Sequence, residues 1–165
     1  RGRSQGIDKE RGAREEGRAA EEILEALEAA AAAGAGEIGL HDLTYGSGIY
    51  AVKPGDGSAR EQAASCQRVL GGAANFAGEY ATKRYRSNLI NWGIFPFLSD
   101  KSIEEGDYVL VPDLRSGMEQ GRGDFDAYII RGGRAVKTRL SLGAMTGDEK
   151  QILMDGCLIN YYQNH

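Results

Sequence analysis

Cysteine, proline, histidine and tryptophan are all scarce in this chain of 165 residues: two, three, two and one respectively. Cys66 and Cys157 stand far apart, and neither belongs to a CxxC pair, so the chain offers no zinc or iron–sulfur site of its own. His41 and His165 are too isolated to make a metal site. No apolar run approaches the ~20 residues that span a membrane. Neither sign of charge dominates. Twenty Lys and Arg face 24 Asp and Glu, a net charge of −4, which argues against a dedicated nucleic-acid binder with its basic patch. The chain opens on Arg1 and has no signal-peptide pattern. It reads as a processed chain or a piece of a longer one, in a reducing, cytoplasmic setting with free thiols.

Glycine is abundant at 24 residues, and 41% of the chain is hydrophobic against 27% charged. Those proportions fit a globular α/β domain with many tight turns. The spacing divides the chain at about residue 36. Residues 1–8 read as a flexible lead-in. Residues 9–34 read as an Ala/Glu-rich helix, with Ile23, Leu24 and Leu27 as a narrow apolar face and Gly34 and Gly36 as its end. Over 37–53, two short strands are expected around Gly46 and Gly48. Ala59–Leu70 reads as a helix, Ala73–Ala77 as a strand and 78–90 as a helix with Tyr80 and Tyr85 inward. Tyr108–Val111 reads as a strand and Asp113–Asp124 as a polar loop. Ala127–Ile130 and Ala135–Leu140 form a hairpin around Gly132-Gly133. Thr146 and Glu149 fit a capping box that opens one last helix through Ile152, Leu153, Cys157, Leu158 and Tyr161. Cys66, Trp92 and the phenylalanines are expected in the core.

The segment with chemical promise is Gly55-Asp56-Gly57-Ser58-Ala59-Arg60-Glu61. A strand runs into a glycine turn that opens a helix. The first N–H groups of a helix have no internal partner, and the helix dipole favours an anion over them. Gly55 and Gly57 let a ligand approach the backbone. Arg60 supplies a charge that grips a carboxylate in two places. Ser58 places a hydroxyl beside the bound anion, where deprotonation makes it a base. Two competing readings need no such site. Ser58 and Glu61 also spell a capping box. Gly55-x-Gly57 after a strand, with Glu79 further on, resembles a dinucleotide turn, but Arg60 replaces its third glycine. Arg122-Gly123-Asp124, an adhesion tripeptide, is read as chance.

GDGSAREQAASCQRVLGG, followed by TKRYRSNLINWGIFPF, resembles the C-terminal swivel domain of the aconitase superfamily. Its members carry G-x-G-S-S-R-E-x-A at a strand–turn–helix and a later R-x-x-x-N-L-x-x-x-G-x-x-P-like segment. Here Arg84, Arg86, Asn88, Leu89, Gly93 and Pro96 form the second motif. The closing helix, with Gly156, Leu158 and Asn160, is similar too, so the resemblance covers about residues 46–163.

The resemblance implies a three-layer β/β/α swivel domain with mixed sheets over 37–165. It implies Ser58 as the catalytic base, with Arg60, Gly57 and Ala59 at the substrate. Ala59 replaces a second family serine, which marks a divergent, hydratase-like member. The implied reaction is dehydration and rehydration of a small hydroxy-carboxylic acid at a [4Fe–4S] cluster whose ligands lie in other domains. Those domains are expected in the same longer chain or in a separate large subunit, as in isopropylmalate isomerases. Asn88 and Arg86 are read as structural. The alternative of another class is a non-catalytic binding or regulatory module. No membrane partner is expected, and the acidic balance speaks against nucleic acid.

Overall fold

The computed structural model describes residues 21–165. The lead-in over 1–8 and the start of the helix read from residue 9 lie outside the described residues. The class is α/β, with one six-stranded mixed sheet and six helices among the described residues. The strands are β1 (Ser47–Ala51), β2 (Gly72–Ala77), β3 (Phe95–Ser99), β4 (Tyr108–Leu110), β5 (Asp124–Arg131) and β6 (Arg134–Ser141). The helices are α1 (Glu21–Ala30), α2 (Arg60–Val69), α3 (Lys83–Asn91), α4 (Leu114–Glu119), α5 (Gly147–Asp155) and α6 (Leu158–Asn164). The sheet order is β1-β2-β3-β6-β5-β4. β1, β2 and β3 are mutually parallel, whereas β3 meets β6 and β4 meets β5 antiparallel.

The chain divides into two compact units. The first takes in the described residues up to Tyr45, with Ile103–Pro112 and Asp126–Thr138. Its core is Ala26 and Ala30 of α1 against Tyr128 and Ile130 of β5. This corrects the expected apolar face of α1: Leu24 is exposed, Ile23 and Leu27 are half-buried, and the alanines are inside. Small side chains let the helix lie close against the large residues of the strand. The hairpin of β5 and β6 forms as its sequence predicts. Gly132 and Gly133 both take positive φ, 54° and 73°, which a two-residue hairpin turn of this hand requires.

The second unit takes in Gly46–Ser102, Asp113–Phe125 and Arg139–His165. It contains two successive β-α-β crossovers, β1-α2-β2 and β2-α3-β3, the connection that parallel strands demand. Ala64 of α2 packs with Tyr85 and Leu89 of α3 and with Ile94. Phe76 of β2 stacks on Phe97 of β3, with ring centroids 5.7 Å apart. Phe76, Phe97 and Phe125 are buried, while Phe95 and Trp92 are half-buried.

Several expectations fail for local reasons. Only β1 forms over 37–53; the earlier stretch holds a single short helical turn, Leu40–Asp42. The helix expected from residue 78 starts at Lys83, because Thr82 is its N-cap and accepts a hydrogen bond from the Tyr85 N–H at 3.2 Å. The polar stretch 113–124 contains α4, which buries Gly117 and Met118. The last helix is two: the Thr146–Glu149 capping box opens α5, but Gly156 turns to φ 91° and ends it, and α6 starts afresh. Cys66 is exposed, not in the core.

Candidate active site

β1 ends at Ala51, and the chain crosses Val52–Ala59 before α2 begins at Arg60. This crossing is fastened to the chain that follows β2. The Glu79 N–H donates to the Val52 carbonyl at 3.2 Å, and the Ala81 N–H to the Pro54 carbonyl at 2.9 Å. Lys53 Nζ and Glu79 Oε1 lie 2.7 Å apart. Gly55 is fixed by its surroundings. Its φ is 99°, and a Cβ there would sit 2.5 Å from the Tyr85 side chain. Only glycine permits both the backbone angle and the contact.

The Gly55 carbonyl accepts two side-chain hydrogen bonds. Arg60 Nε donates at 3.1 Å, and Thr82 Oγ1 donates at 3.0 Å. Among the described residues Nη1 and Nη2 of Arg60 have no hydrogen-bond partner. The guanidinium is therefore anchored at one edge and open along the edge that grips a carboxylate.

Ser58, Gly57 and Ala59 are exposed. The capping box read at Ser58 and Glu61 is not made. The N-cap is Ala59, with φ −87° and ψ 49°, and no side chain caps the helix. The helix begins one residue too late for Ser58 to serve it. The Ser58 hydroxyl has no hydrogen-bond partner among the described residues. The first helical bond runs from the Ala63 N–H to the Ala59 carbonyl at 3.0 Å, so the N–H groups of Arg60, Glu61 and Gln62 precede the internal ladder. A Cβ on Gly57 would meet nothing within 4 Å. Ser58, Gly57, Ala59 and Arg60 thus lie together on one turn with open space beside it.

Beneath the turn lies a polar network that sequence reasoning missed. Tyr85, 3% exposed, receives hydrogen bonds at its hydroxyl from Gln67 Nε2 at 2.9 Å and from the buried Asn75 Nδ2 at 3.1 Å. Gln67 Oε1 and Asn75 Oδ1 are buried without a partner. Turning either amide over gives the tyrosine proton an acceptor. Tyr80 Oη lies within hydrogen-bond distance of the Asn75 and Phe97 carbonyls, at 3.2 and 3.1 Å. Burial, with Tyr85 beside it, raises its ionisation well above the ordinary phenol range, so Tyr80 is a neutral strut. Thr82 had a signal: a threonine directly before a helical pattern is a starting cap. Tyr85 was read as inward, but nothing in the spacing pairs it with Asn75 or Gln67.

In the second motif Arg86 makes structural contacts, as expected. Its Nη2 donates to the Leu142 and Ala144 carbonyls at 2.8 and 3.0 Å, with Glu149 3.6 Å from Nη1. It ties α3 to the segment before α5. Arg84 is exposed and Asn88 half-buried. Asn160 Nδ2 donates to the Asp155 carbonyl at 2.8 Å.

An open cavity of about 330 Å³ lies at the carboxyl ends of β2 and β3, lined in part by Gly78, Ser99, Asp100, Asp124, Arg139 and Ser141. The Ser58 turn follows the carboxyl end of β1. Ligands of open α/β sheets bind along this edge. Among the described residues no three His, Cys, Asp or Glu side chains gather as a metal site, and no helix is long and apolar enough to cross a membrane. The chain matches no protein-family model and no curated protein.

Proposed function

We propose that this chain is the serine-bearing part of a hydro-lyase site that dehydrates and rehydrates a small hydroxy-carboxylic acid. The observation that carries this reading is the Val52–Arg60 turn, which presents an unused serine hydroxyl, uncapped helix N–H groups and an anchored arginine together. A substrate carboxylate seats on Arg60 Nη1 and Nη2, which fixes the carbon-bound proton in reach of Ser58. Ser58 takes that proton as general base, the C–H electron pair forms the double bond, and the hydroxyl of the neighbouring carbon leaves as water with a proton drawn from solvent. The positive end of α2 and the Arg60 charge favour the serine oxygen when it carries negative charge. Gly57 leaves the backbone open to the acid, and Ala59 leaves room where members of the aconitase superfamily, which the segment resembles, place a hydroxyl.

Ser58, Gly57 and Ala59 are open to water, and a serine base needs a dry, closed setting to act. The reading therefore includes a covering partner, either another domain of a longer chain or a separate large subunit. In the finer fold this implies, the chain is a three-layer β/β/α swivel domain that closes over that partner. The resemblance also implies a [4Fe–4S] cluster. The residues described here do not fit one: Cys66 and Cys157 are two thiols on separate elements, and no ligand set gathers. Such a cluster belongs to the covering partner, and no step above runs through it.

The test uses the full native protein that contains this chain, purified without oxygen. Hydration of cis-aconitate and related unsaturated acids is assayed beside a Ser58→Ala variant. The expected result is hydration that falls by about 10²–10⁴-fold in the variant, the range of general-base catalysis. Hydration untouched by the variant removes Ser58 from its role. No hydration of any acid, with salt-dependent RNA binding instead, favours the binding module.

A further inference from the structure

We infer that Thr82 is a positioning residue that sets Arg60 for carboxylate binding, an inference that rests on the hydro-lyase reading above. One hydroxyl does two jobs. Thr82 Oγ1 accepts the Tyr85 N–H at 3.2 Å, which caps α3. The same oxygen donates its proton to the Gly55 carbonyl at 3.0 Å. That carbonyl also receives Arg60 Nε at 3.1 Å. A continuous line of hydrogen bonds therefore runs from the start of α3, through Thr82 and the turn, to the guanidinium.

The line is directional. A hydroxyl has one proton, and the Tyr85 N–H already occupies an acceptor position on Oγ1, so the proton is left for Gly55. A carbonyl oxygen has two acceptor positions, and Thr82 and Arg60 fill both. Removing the Thr82 donor frees the carbonyl to rotate, and with it the anchor of Arg60. The other fastenings of the turn, at Val52 and Pro54, precede Gly55 and do not replace it. No side chain at position 55 restrains the backbone, since a Cβ there would meet Tyr85, so the Gly55–Asp56 peptide plane is held by the hydrogen bonds to its carbonyl. Thr82 thus acts on the orientation of the peptide plane, not on the path of the chain.

The chemistry of position 82 separates this role from simple capping. Thr82→Ser keeps both the acceptor and the donor. Thr82→Asp keeps a strong N-cap acceptor but has no proton to give Gly55. Thr82→Val has neither. In the full native protein, hydration kinetics of unsaturated dicarboxylic acids and calorimetric binding of a saturated dicarboxylate, succinate, are compared for the three. The expected pattern has Ser close to wild type, while Asp and Val raise KM and weaken succinate binding about tenfold, the scale of one charge-assisted hydrogen bond. Both lose the bond to Gly55, and Val, which loses the cap as well, is expected to lower thermal stability the more. An Asp variant with wild-type KM and binding overturns the inference and leaves Thr82 a cap. The wild type tests the parent reading separately. If it neither hydrates an unsaturated acid nor binds succinate, the hydro-lyase reading fails and this inference fails with it. If it does both and the variants do not follow the pattern, only the role of Thr82 is lost.

Discussion

The two units solve the same packing problem with different materials. In the first, α1 presents alanines, Ala26 and Ala30, to Tyr128 and Ile130, and the unit's ion pairs are largely exposed, with Asp107 alone covered. Arg131 meets Asp107 and Glu104, and Lys137 meets Asp126. In the second, Tyr85, Asn75 and Gln67 carry hydrogen bonds into the interior, directly under the turn that bears Ser58. Exposed ion pairs contribute roughly 0–1 kcal/mol each and fix little. A buried polar network is costly to disturb and admits few arrangements. The network lies where a backbone carbonyl and a guanidinium need one orientation.

The largest effect that sharpens this contrast comes from Tyr85→Ala. It removes a buried ring and leaves Gln67 and Asn75 without their shared partner. A loss of about 3–5 kcal/mol is expected, as for other large aromatic truncations. Trp92 is the only tryptophan and lies in the second unit, so urea unfolding followed by its fluorescence measures the loss. A change under 1 kcal/mol would mean that the network does not hold the unit.

A smaller effect is expected in the first unit from Ala30→Leu. Ala30 is fully buried, and overfilling such a contact costs about 1–3 kcal/mol. Circular dichroism during urea unfolding reads it. A neutral or stabilising result would show that the α1 contact is loose and that the alanine packing is not specific.

The smallest effect is electrostatic and depends on pH. The Arg131 guanidinium, hydrogen-bonded to Asp107, holds its carboxyl below the usual carboxylate range. A carboxyl lowered by folding adds stability above its unfolded value of about 3.9, and that contribution is lost as pH falls through the lower folded value. Asp107→Asn removes this dependence. The variant is expected to be slightly less stable at pH 7 and to lose less stability between pH 5 and pH 2. Equal acid slopes in the two proteins would place the acid sensitivity elsewhere.

Much of the second unit is legible in the sequence, because its signals are local. Gly71 and Gly72 stop α2, the apolar run before Pro54 makes β1, and the Thr146–Glu149 box opens α5 as read. The hairpin turn at Gly132-Gly133 is legible for the same reason. The failures come where apolar spacing carries no signal. Gly156 breaks the last helix although the apolar spacing continues through it, since periodicity does not register a left-handed residue. Alanine is a weak apolar signal, so the buried face of α1 is hidden behind Leu24, which is exposed. At the site, Ser58, Gly57, Ala59 and Arg60 are adjacent in sequence and stay together in the fold. Thr82 lies 27 positions from Gly55, and only the β-α-β path brings its hydroxyl to that carbonyl.

In the proposed reaction Ser58 moves a carbon-bound proton of an acid seated on Arg60. Exchange of that proton with solvent tests it most directly. The full native protein is incubated in D₂O with the hydroxy acid formed by its best unsaturated substrate, and deuterium at the carbon beside the carboxylate is followed by NMR. Exchange is expected in the wild type. In Ser58→Ala the exchange falls by about 10²–10⁴-fold while binding of the acid is retained, and in Arg60→Gln binding weakens. Exchange at the wild-type rate in Ser58→Ala, with the acid bound, would remove Ser58 as the base.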